Sequence, residues 1–302
     1  MKRVAILMST YNGEKYIREQ IDSILGQTGD IDIELWVRDD GSTDGTTRIL
    51  DEYSEKNKLK WYTAGNLGAA KSFFDLLYKC GEYDYYAFAD QDDVWECNKI
   101  SVAVKQMGEY KQPALYFGNA ELVDEKLESI SIKVYNKKPK LKFETLTCAG
   151  GLLGCTMVLN NLLVSEIRKS KMPEDVVMHD FYVALVCAGL DGTIIYDADC
   201  YIKYRQHGNN VVGVSYGIIG KIKERTKIIA KKSKISISKQ ANDIYIRYAE
   251  RFSNKNADWL KRVSEYRNTF NRRISLACSF KTHYINLNKA ITIRLAILLG
   301  NR

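Results

Sequence analysis

The chain reads YYAFADQDD at residues 85–93, where an apolar run of strand length meets three carboxylates. Three earlier apolar runs have similar lengths: RVAILMS at 3–9, ELWVR at 34–38 and LKWYT at 59–63. Between the runs lie three stretches with the apolar spacing of amphipathic helices: Glu14–Leu25, Thr43–Tyr53 and Leu67–Lys79. Strands that alternate with helices predict an α/β protein built from βαβ units, with a mostly parallel central sheet and flanking helices.

A polar, acidic or glycine-rich segment follows each of the four apolar runs. The segments are TYNG at 10–13, DDGS at 39–42, GNLG at 65–68 and DQDD at 90–93. In open α/β sheets, ligands bind outside the carboxyl ends of the strands. The four segments therefore predict one ligand site at a single edge of the sheet.

The DQDD segment has the composition of a metal site. The carboxylates of Asp90, Asp92 and Asp93 repel one another unless a cation neutralises them. Oxygen ligands of this kind suit Mg²⁺ or Mn²⁺, which are often bound by one or two carboxylates together with substrate phosphates. The alternative is a solvated acidic turn in front of a helix.

The second and third segments both precede predicted helices. Helix capping explains Gly41 and Ser42, but it gives no reason for the two carboxylates of Asp39 and Asp40 before them. Carboxylates there could accept hydrogen bonds from a pyrimidine imide or a ribose hydroxyl. The glycine-rich turn before Lys71 opens a helix, where backbone N–H groups and a cation favour a phosphate.

Composition excludes several classes of protein. With 302 residues, 45% of them hydrophobic and 27% charged, the chain is neither disordered nor collagen-like. No apolar run approaches the ~20 residues that cross a bilayer. The seven cysteines are scattered and form no CxxC pair, which is typical of a cytoplasmic protein with reduced thiols.

Charge divides the chain into two parts. Residues 217–302 hold 20 Lys+Arg and 5 Asp+Glu, whereas residues 1–216 hold 25 and 32. We therefore expect a catalytic domain over 1–216 and a basic α-helical region over 217–302. Helical spacing recurs in that region at Ile218–Lys232, Ser238–Phe252, Ala257–Phe270 and Ile285–Leu299. Its charge favours an anionic partner, either membrane lipid or nucleic acid, unless the helices simply pack on the catalytic domain with Lys and Arg outward.

Several motifs occur together in an order that resembles a known family. STYN at 9–12, DDGSTDGT at 39–46, GNLGAAK at 65–71 and DQDD at 90–93 resemble family 2 glycosyltransferases of the GT-A fold. MHDF at 178–181 and YRQHGNNVVG at 204–213 look most like bacterial rhamnosyltransferases and related surface-polysaccharide enzymes. The resemblance covers residues 3–216, and four ordered motifs are far more specific than any one of them.

The resemblance implies a role for each matching residue. Thr10, Tyr11 and Asp40 would line the nucleobase pocket with Asp39 beside them, Lys71 would lie near the base or phosphates, and Asp90 would meet the ribose. Asp92 would bind the divalent metal, and Asp93 would support it. Asp180 matches the general base, although His179 precedes it where many members have Glu.

Five further residues have both a functional and a structural interpretation. We expect His207 to contact the metal or a phosphate, Arg205 to contact the pyrophosphate, and His179 to position Asp180 or touch the acceptor. Gly151 lies in a glycine-rich loop, CAGGLLGC, where the acceptor could approach the backbone. Trp95 could stack on a sugar, but ordinary packing is the more frequent role of such a ring.

The sequence thus predicts an inverting, metal-dependent glycosyltransferase at the inner face of a bacterial plasma membrane. The resemblance implies transfer of L-rhamnose from dTDP-β-L-rhamnose to a glycan or lipid-linked oligosaccharide of the cell surface. The alternatives are a UDP-hexose transferase using galactose, glucose or N-acetylglucosamine, and a nucleic-acid-binding protein. Because the basic region has neither zinc-ligand spacing nor aromatic RNA-binding motifs, the nucleic-acid alternative is weaker. The oligomeric state stays open.

Overall fold

The computed structural model describes residues 1–131, 133–150, 152–207, 235–279, 281 and 287–301. Their nine strands are β1 Lys2–Thr10, β2 Ile31–Asp39, β3 Lys60–Thr63, β4 Tyr85–Ala89, β5 Val94–Trp95, β6 Ala114–Val123, β7 Ser129–Ser131, β8 Val158–Asn160 and β9 Thr193–Arg205. The helices before residue 208 are α1 Ile17–Leu25, α2 Thr46–Ser54, α3 Ala69–Lys79, α4 Lys99–Met107, α5 Phe143–Ala149, α6 Asn161–Arg168 and α7 His179–Gly189.

Four more helices lie in the described part of the basic region: α8 Ile237–Tyr248, α9 Asn254–Glu265, α10 Phe270–Ala277 and α11 Leu287–Leu298. The helix predicted at Ile218–Lys232 lies outside the described residues. Among the helices that are described, none combines the length and the apolar composition needed to cross a membrane. Each of the seven cysteines is free, as predicted.

One mixed sheet runs through the catalytic part of the chain, in the order β3-β2-β1-β4-β8-β6-β9-β5, with β7 on β6. The pairs β1–β2, β1–β4, β2–β3 and β6–β9 are parallel, and the remaining pairs are antiparallel. The predicted α/β class is therefore confirmed, with its four leading strands parallel. Thr10 pairs with Asp39 and Met8 with Ala89, so the segments after β1, β2 and β4 meet at one edge, as predicted.

Side chains alternate across the sheet and divide the core into two layers. Along β1, Ala5 and Leu7 join one cluster of buried residues, whereas Val4, Ile6 and Met8 join the other. Helices α1, α2 and α4 cover the second face. The first face receives α3 and α5–α7, and buried residues of α8–α11 belong to the same cluster. Helices of the basic region therefore share a core with the catalytic part of the chain.

A glycine at the end of α7 permits one of these contacts. A Cβ atom at Gly189 would lie 2.2 Å from Cζ of Phe252, which follows α8. The Phe252 ring cannot easily give way, because it is buried between the rings of Phe143 and Tyr248, with centroids 5.8 and 5.9 Å away. The close approach of α7 to the segment after α8 therefore requires glycine.

We expect Gly189→Ala to lower the free energy of unfolding by about 1–3 kcal/mol, because overpacking forces buried groups apart. Urea unfolding followed by circular dichroism measures the change. Gly81→Ala is the control, since its Cβ would meet Tyr83 at an ordinary 3.6 Å. Equal midpoints for the two variants would show that the Phe252 contact yields without cost.

Candidate active site

Gln91 joins the segments after β1 and β4. Its side-chain oxygen accepts hydrogen bonds from the Thr10 hydroxyl at 2.5 Å and the Tyr11 N–H at 2.9 Å, and its amide donates to the Tyr11 carbonyl at 3.1 Å. A Cβ atom at Gly13 would lie 2.3 Å from the same Gln91 oxygen, so a larger residue there would have to displace the Gln91 amide. The Thr10 hydroxyl is thereby turned toward Gln91, while the Tyr11 ring stays exposed.

Asp39 and Asp40 both direct their carboxylates into the protein. Asp39 accepts from the N–H groups of Gly41 and Ser42 at 3.0 and 2.9 Å. Asp40 forms a buried ion pair with Arg38 and accepts from the N–H groups of Leu67 and Gly68, both at 2.8 Å. The two carboxylates thus fix the turns that border the site. Their predicted nucleotide contacts stay predictions.

Lys71 and Gly151 complete the group of residues predicted near the donor or acceptor. Lys71 lies in the first turn of α3, directly after the turn that Asp40 holds, and is half-buried. Gly151 lies outside the described residues.

The two predicted metal ligands meet in the structure, although 115 positions separate them. Nε2 of His207 lies 2.7 Å from Oδ2 of Asp92, and both side chains are largely buried. The Tyr16 ring packs beside the imidazole, with ring centroids 5.0 Å apart. Carboxylate oxygens and imidazole nitrogens are both ligands of divalent metal ions in proteins, so these residues fit a divalent ion.

Arg205 holds the DQDD segment from inside the protein. Its buried guanidinium donates to the carbonyls of Asp92 at 2.8 Å and Glu125 at 2.6 Å, and it pairs with Glu19. Its N–H donates to Oδ1 of Asp93 at 3.1 Å. The predicted contact of Arg205 with a pyrophosphate is not supported by this placement, because its donors are directed into the protein.

Asp90 and Asp93 lie in a buried cluster with Cys155. Oxygen and sulfur atoms of the three residues lie within 4.8 Å of one another. Burial, and then the charge of Asp92, raises the pKa of both carboxyls. Lys99 lies on the other side of the cluster, and its burial lowers the pKa of its ammonium group to about 7. The cluster itself has a donor set that could hold a metal ion, so the supporting role of Asp93 stays a prediction.

Trp95 packs inside the protein. Its ring is buried, and the Lys99 ammonium lies 3.6 Å from the ring centroid. A ring buried in this way cannot stack on a sugar, so of the two predicted roles of Trp95, packing is correct and stacking is wrong. The reason is that β5 pairs with β9 and turns the indole toward the core.

Asp180 lies in the first turn of α7, where N–H groups hold its carboxylate. It accepts from Phe181 at 2.6 Å and from the backbone of Gly154. Burial raises the pKa of Asp180 to about 7 despite these hydrogen bonds. Asp90 and Asp180 are close enough for the charge of Asp180 to raise the pKa of Asp90. The predicted base therefore shares one site with the acidic segment.

His179 is buried beside Asp180 and has a packing role. Its ring stacks on Phe73 at 4.0 Å and meets the edge of Phe88 at 4.8 Å. Burial lowers the pKa of His179 to about 3, so the ring is neutral. The predicted acceptor contact does not fit this placement, whereas packing that positions α7 does.

Tyr135 is a candidate that sequence patterns missed. Burial, and then the charge of Asp180, raises the pKa of its phenol well above the usual value, so the hydroxyl lies close enough to interact with the predicted base. Its ring packs against Phe117 and Tyr196. Tyr135 lies between β7 and α5, outside any periodic segment or motif, so no sequence signal marked it.

Helix α8 holds the segment that leads into α7. Oδ1 of Asp243 accepts from the N–H of Glu174 at 3.1 Å, and Oδ2 accepts from the hydroxyl of Tyr182 at 2.7 Å. Oε1 of the buried Gln240 accepts from the N–H of Val177 at 2.7 Å. These contacts bracket Asp180 from both sides, so the basic region helps to set its position.

The comparison with family models decides the family. The model for glycosyl transferase family 2 matches residues 5–156. The chain belongs to glycosyl transferase family 2. The dTDP-rhamnosyl transferase RfbG of Shigella flexneri is 29% identical over 255 residues, which cover 78% of this chain and 83% of that relative. An uncharacterized glycosyltransferase of Rickettsia felis is 32% identical over 169 residues, 54% of this chain and 28% of the relative.

Two solved structures share the fold of this family 2 member. S. aureus TarS 1–349 in complex with UDP aligns with a TM-score of 0.52 at 20% identity, covering 92% of this chain and 80% of the TarS chain. The mannosyltransferase PcManGT from Pyrobaculum calidifontis, in complex with GDP-Man and Mn²⁺, aligns with a TM-score of 0.52 at 15% identity, covering 99% and 74%. The predicted GT-A fold is confirmed.

We expect Gln240→Leu in this glycosyltransferase to speed amide exchange of residues 174–178 by about tenfold, because Val177 loses its acceptor. Hydrogen exchange followed by mass spectrometry measures it. Gln112→Leu is the control, since the Gln112 amide donates to Thr193, remote from this segment. Unchanged exchange in Gln240→Leu would show that packing alone holds the entry to α7.

Proposed function

We propose that this chain is an inverting, metal-dependent glycosyltransferase that transfers L-rhamnose from dTDP-β-L-rhamnose to a lipid-linked acceptor of a cell-surface polysaccharide. The observation that carries the proposal is the convergence of Asp92, His207 and Asp180 at one edge of the sheet, from three distant parts of the sequence. The likeness to the Shigella flexneri dTDP-rhamnosyl transferase over most of both chains supports the donor.

The donor nucleotide would lie over the turns after β1, β2 and β3. Tyr11 exposes its ring there, and Lys71 lies at the start of α3 beside the glycine-rich turn. The carboxylates of Asp39 and Asp40 hold these turns through backbone N–H groups. A preorganised turn lowers the ordering cost of binding, so both aspartates support the nucleotide through the backbone they fix.

Asp92 and His207 would hold the divalent ion. When bound, the ion stabilises the negative charge that develops on the leaving nucleoside diphosphate. The presence of Mn²⁺ in the PcManGT structure supports this assignment. Arg205 keeps the main chain of Asp92 in place through its carbonyl, so that the carboxylate is directed toward His207.

Asp180 would remove the proton from the acceptor hydroxyl as the hydroxyl oxygen attacks the anomeric carbon. The bond between that carbon and the diphosphate oxygen breaks in the same displacement, which inverts the configuration from β to α. A carboxylate with a pKa near 7 is well matched to this proton transfer at neutral pH. No covalent intermediate is required.

A UDP-hexose is the second candidate donor. The TarS structures that share the fold contain UDP or UDP-GlcNAc, which favours this candidate over other nucleotide sugars. Both donors carry a pyrimidine nucleotide, so binding of dTDP and of UDP can be compared in one experiment to separate the two candidates.

We expect dTDP with Mn²⁺ to raise the melting temperature by several degrees, because a ligand at a hundredfold excess over Kd stabilises the native state by ~2.7 kcal/mol. UDP, GDP and CDP are measured alongside, each with and without Mn²⁺. Asp92→Asn and His207→Ala should lose the metal-dependent part of the shift, whereas the exposed Asp258→Asn should retain it. Release of dTDP from dTDP-rhamnose, or of UDP from a UDP-hexose, then identifies the donor.

A larger response to UDP and turnover of a UDP-hexose would replace the rhamnosyl donor with the second candidate. No response to any nucleotide, in protein whose circular dichroism shows it folded, would contradict the proposed function as a whole.

We expect kcat to rise between about pH 6 and pH 8 and then level off, because the base acts only when deprotonated and its folded pKa is raised to about 7. Asp180→Asn should lower kcat by ~10²–10⁴-fold, abolish the rise and keep the nucleotide-induced thermal shift. A wild-type rate that is independent of pH across this range, or a variant that retains its rate, would remove Asp180 from this role.

A further inference from the structure

Helix α11 is apolar on both of its faces. Ile293, Ala296 and Ile297 are buried against the rest of the protein. On the opposite side, Ile291, Leu295 and Leu299 are 48%, 42% and 56% exposed. Because these three residues follow one another at intervals of four, they form one outward stripe along the helix and its last turn. A helix that is apolar all round normally has both faces covered.

Helix α10 adds to this surface. Phe270 and Ile274, also four residues apart, are 64% and 40% exposed. The two helices pack together, and the guanidinium of Arg267 donates to the carbonyl of Gly300 at 2.8 Å. The end of α11 therefore lies beside the start of α10. We call these five exposed apolar side chains the α10–α11 face; they are Phe270, Ile274, Ile291, Leu295 and Leu299.

The α10–α11 face lies in a strongly basic part of the chain, although Glu265 pairs with Arg272 at 2.8 Å. Residues 266–302 contain no Asp or Glu, and they contain seven Lys and Arg residues: Arg267, Arg272, Arg273, Lys281, Lys289, Arg294 and Arg302. Lys281 and Lys289 are exposed. Aliphatic side chains with surrounding cations match the acyl boundary and the headgroups of an anionic bilayer.

We propose that the α10–α11 face docks on an anionic phospholipid bilayer, with its apolar side chains at the acyl boundary and its cations among the headgroups. The helix lies in the interface, because twelve residues at ~1.5 Å each are too short to cross it. The benefit of docking rests on the proposed function, since a lipid-linked acceptor is presented at such a surface. Docking itself requires neither donor nor transfer.

Co-sedimentation of the full chain with vesicles tests the proposal. We use vesicles of phosphatidylcholine alone and of phosphatidylcholine with phosphatidylglycerol, at low and at high salt. Wild-type protein should sediment with the anionic vesicles at low salt, at least tenfold more tightly than with neutral vesicles. The double variant Ile291→Ser/Leu295→Ser should bind the anionic vesicles about tenfold or more weakly than the wild-type protein does, because two apolar side chains no longer enter the interface.

Leu162→Ser/Ile246→Ser is the matched control, since it removes two exposed aliphatic side chains from other helices. Both double variants should keep the wild-type melting temperature and the wild-type response to nucleotide and Mn²⁺. A failed proposed function would abolish the nucleotide response in every protein, whereas failed docking would leave that response intact.

Three results would overturn the docking proposal. The first is wild-type protein that binds neither kind of vesicle. The second is a loss of vesicle binding that is equal in the two double variants. The third is a different occupant of the face, shown by a wild-type dimer that Ile291→Ser/Leu295→Ser converts to a monomer, or by duplex nucleic acid that competes fully with vesicles.

Discussion

Electrostatic repulsion among the aspartates at the carboxyl edge of the sheet is the constraint on which the other features of the site depend. Three of these carboxylates are offset by different groups, whereas burial and the charge of Asp92 raise the pKa of Asp90 and Asp93. Backbone N–H groups and Arg38 neutralise Asp39 and Asp40, and in doing so they fix two turns. Asp92 meets His207 instead, which leaves it as the carboxylate prepared to share a cation with an imidazole. The distribution of partners therefore separates the aspartates that fix turns from Asp92, the proposed metal ligand.

The end of β9 connects this edge to the rest of the chain. Arg205 and His207 are two residues apart and act on the same segment from different sides. Arg205 lies inside the protein and holds the main chain of Asp92, whereas His207 reaches the carboxylate of Asp92. Pairing of β6 with β9 brings this strand end to the site through Val123 and Arg205. A motif near residue 205 is therefore needed to complete the proposed metal site, which begins at residue 90.

Local patterns could predict the strands and the edge where their ends meet. The run at 85–93 gave β4 with its observed bounds, because Asp84 and Asp90 limit a fully apolar stretch. The pairing of Asp92 with His207 followed only from the family resemblance. The sequence could not predict side-chain directions that distant packing sets. Trp95 turns inward because β5 pairs with β9, and Arg205 turns inward to pair with Glu19. Helical spacing places Gln240 on the buried face of α8, but its hydrogen bond with Val177 could not be predicted from the sequence.

The basic region divides at about residue 266. The sequence left two explanations for its charge, packing on the catalytic domain or binding of an anionic partner, and they apply to different parts of the region. Before that point, cations are paired with acids of the protein: Arg251 with Glu166 and Lys255 with Glu144. There the helices pack on the catalytic part of the chain, and α8 holds the entry to α7. Beyond Glu265 the sequence has no acid of its own, and apolar side chains point outward. One region thus supports the proposed base, Asp180, with its first two helices and presents exposed apolar side chains in a basic sequence with its last two.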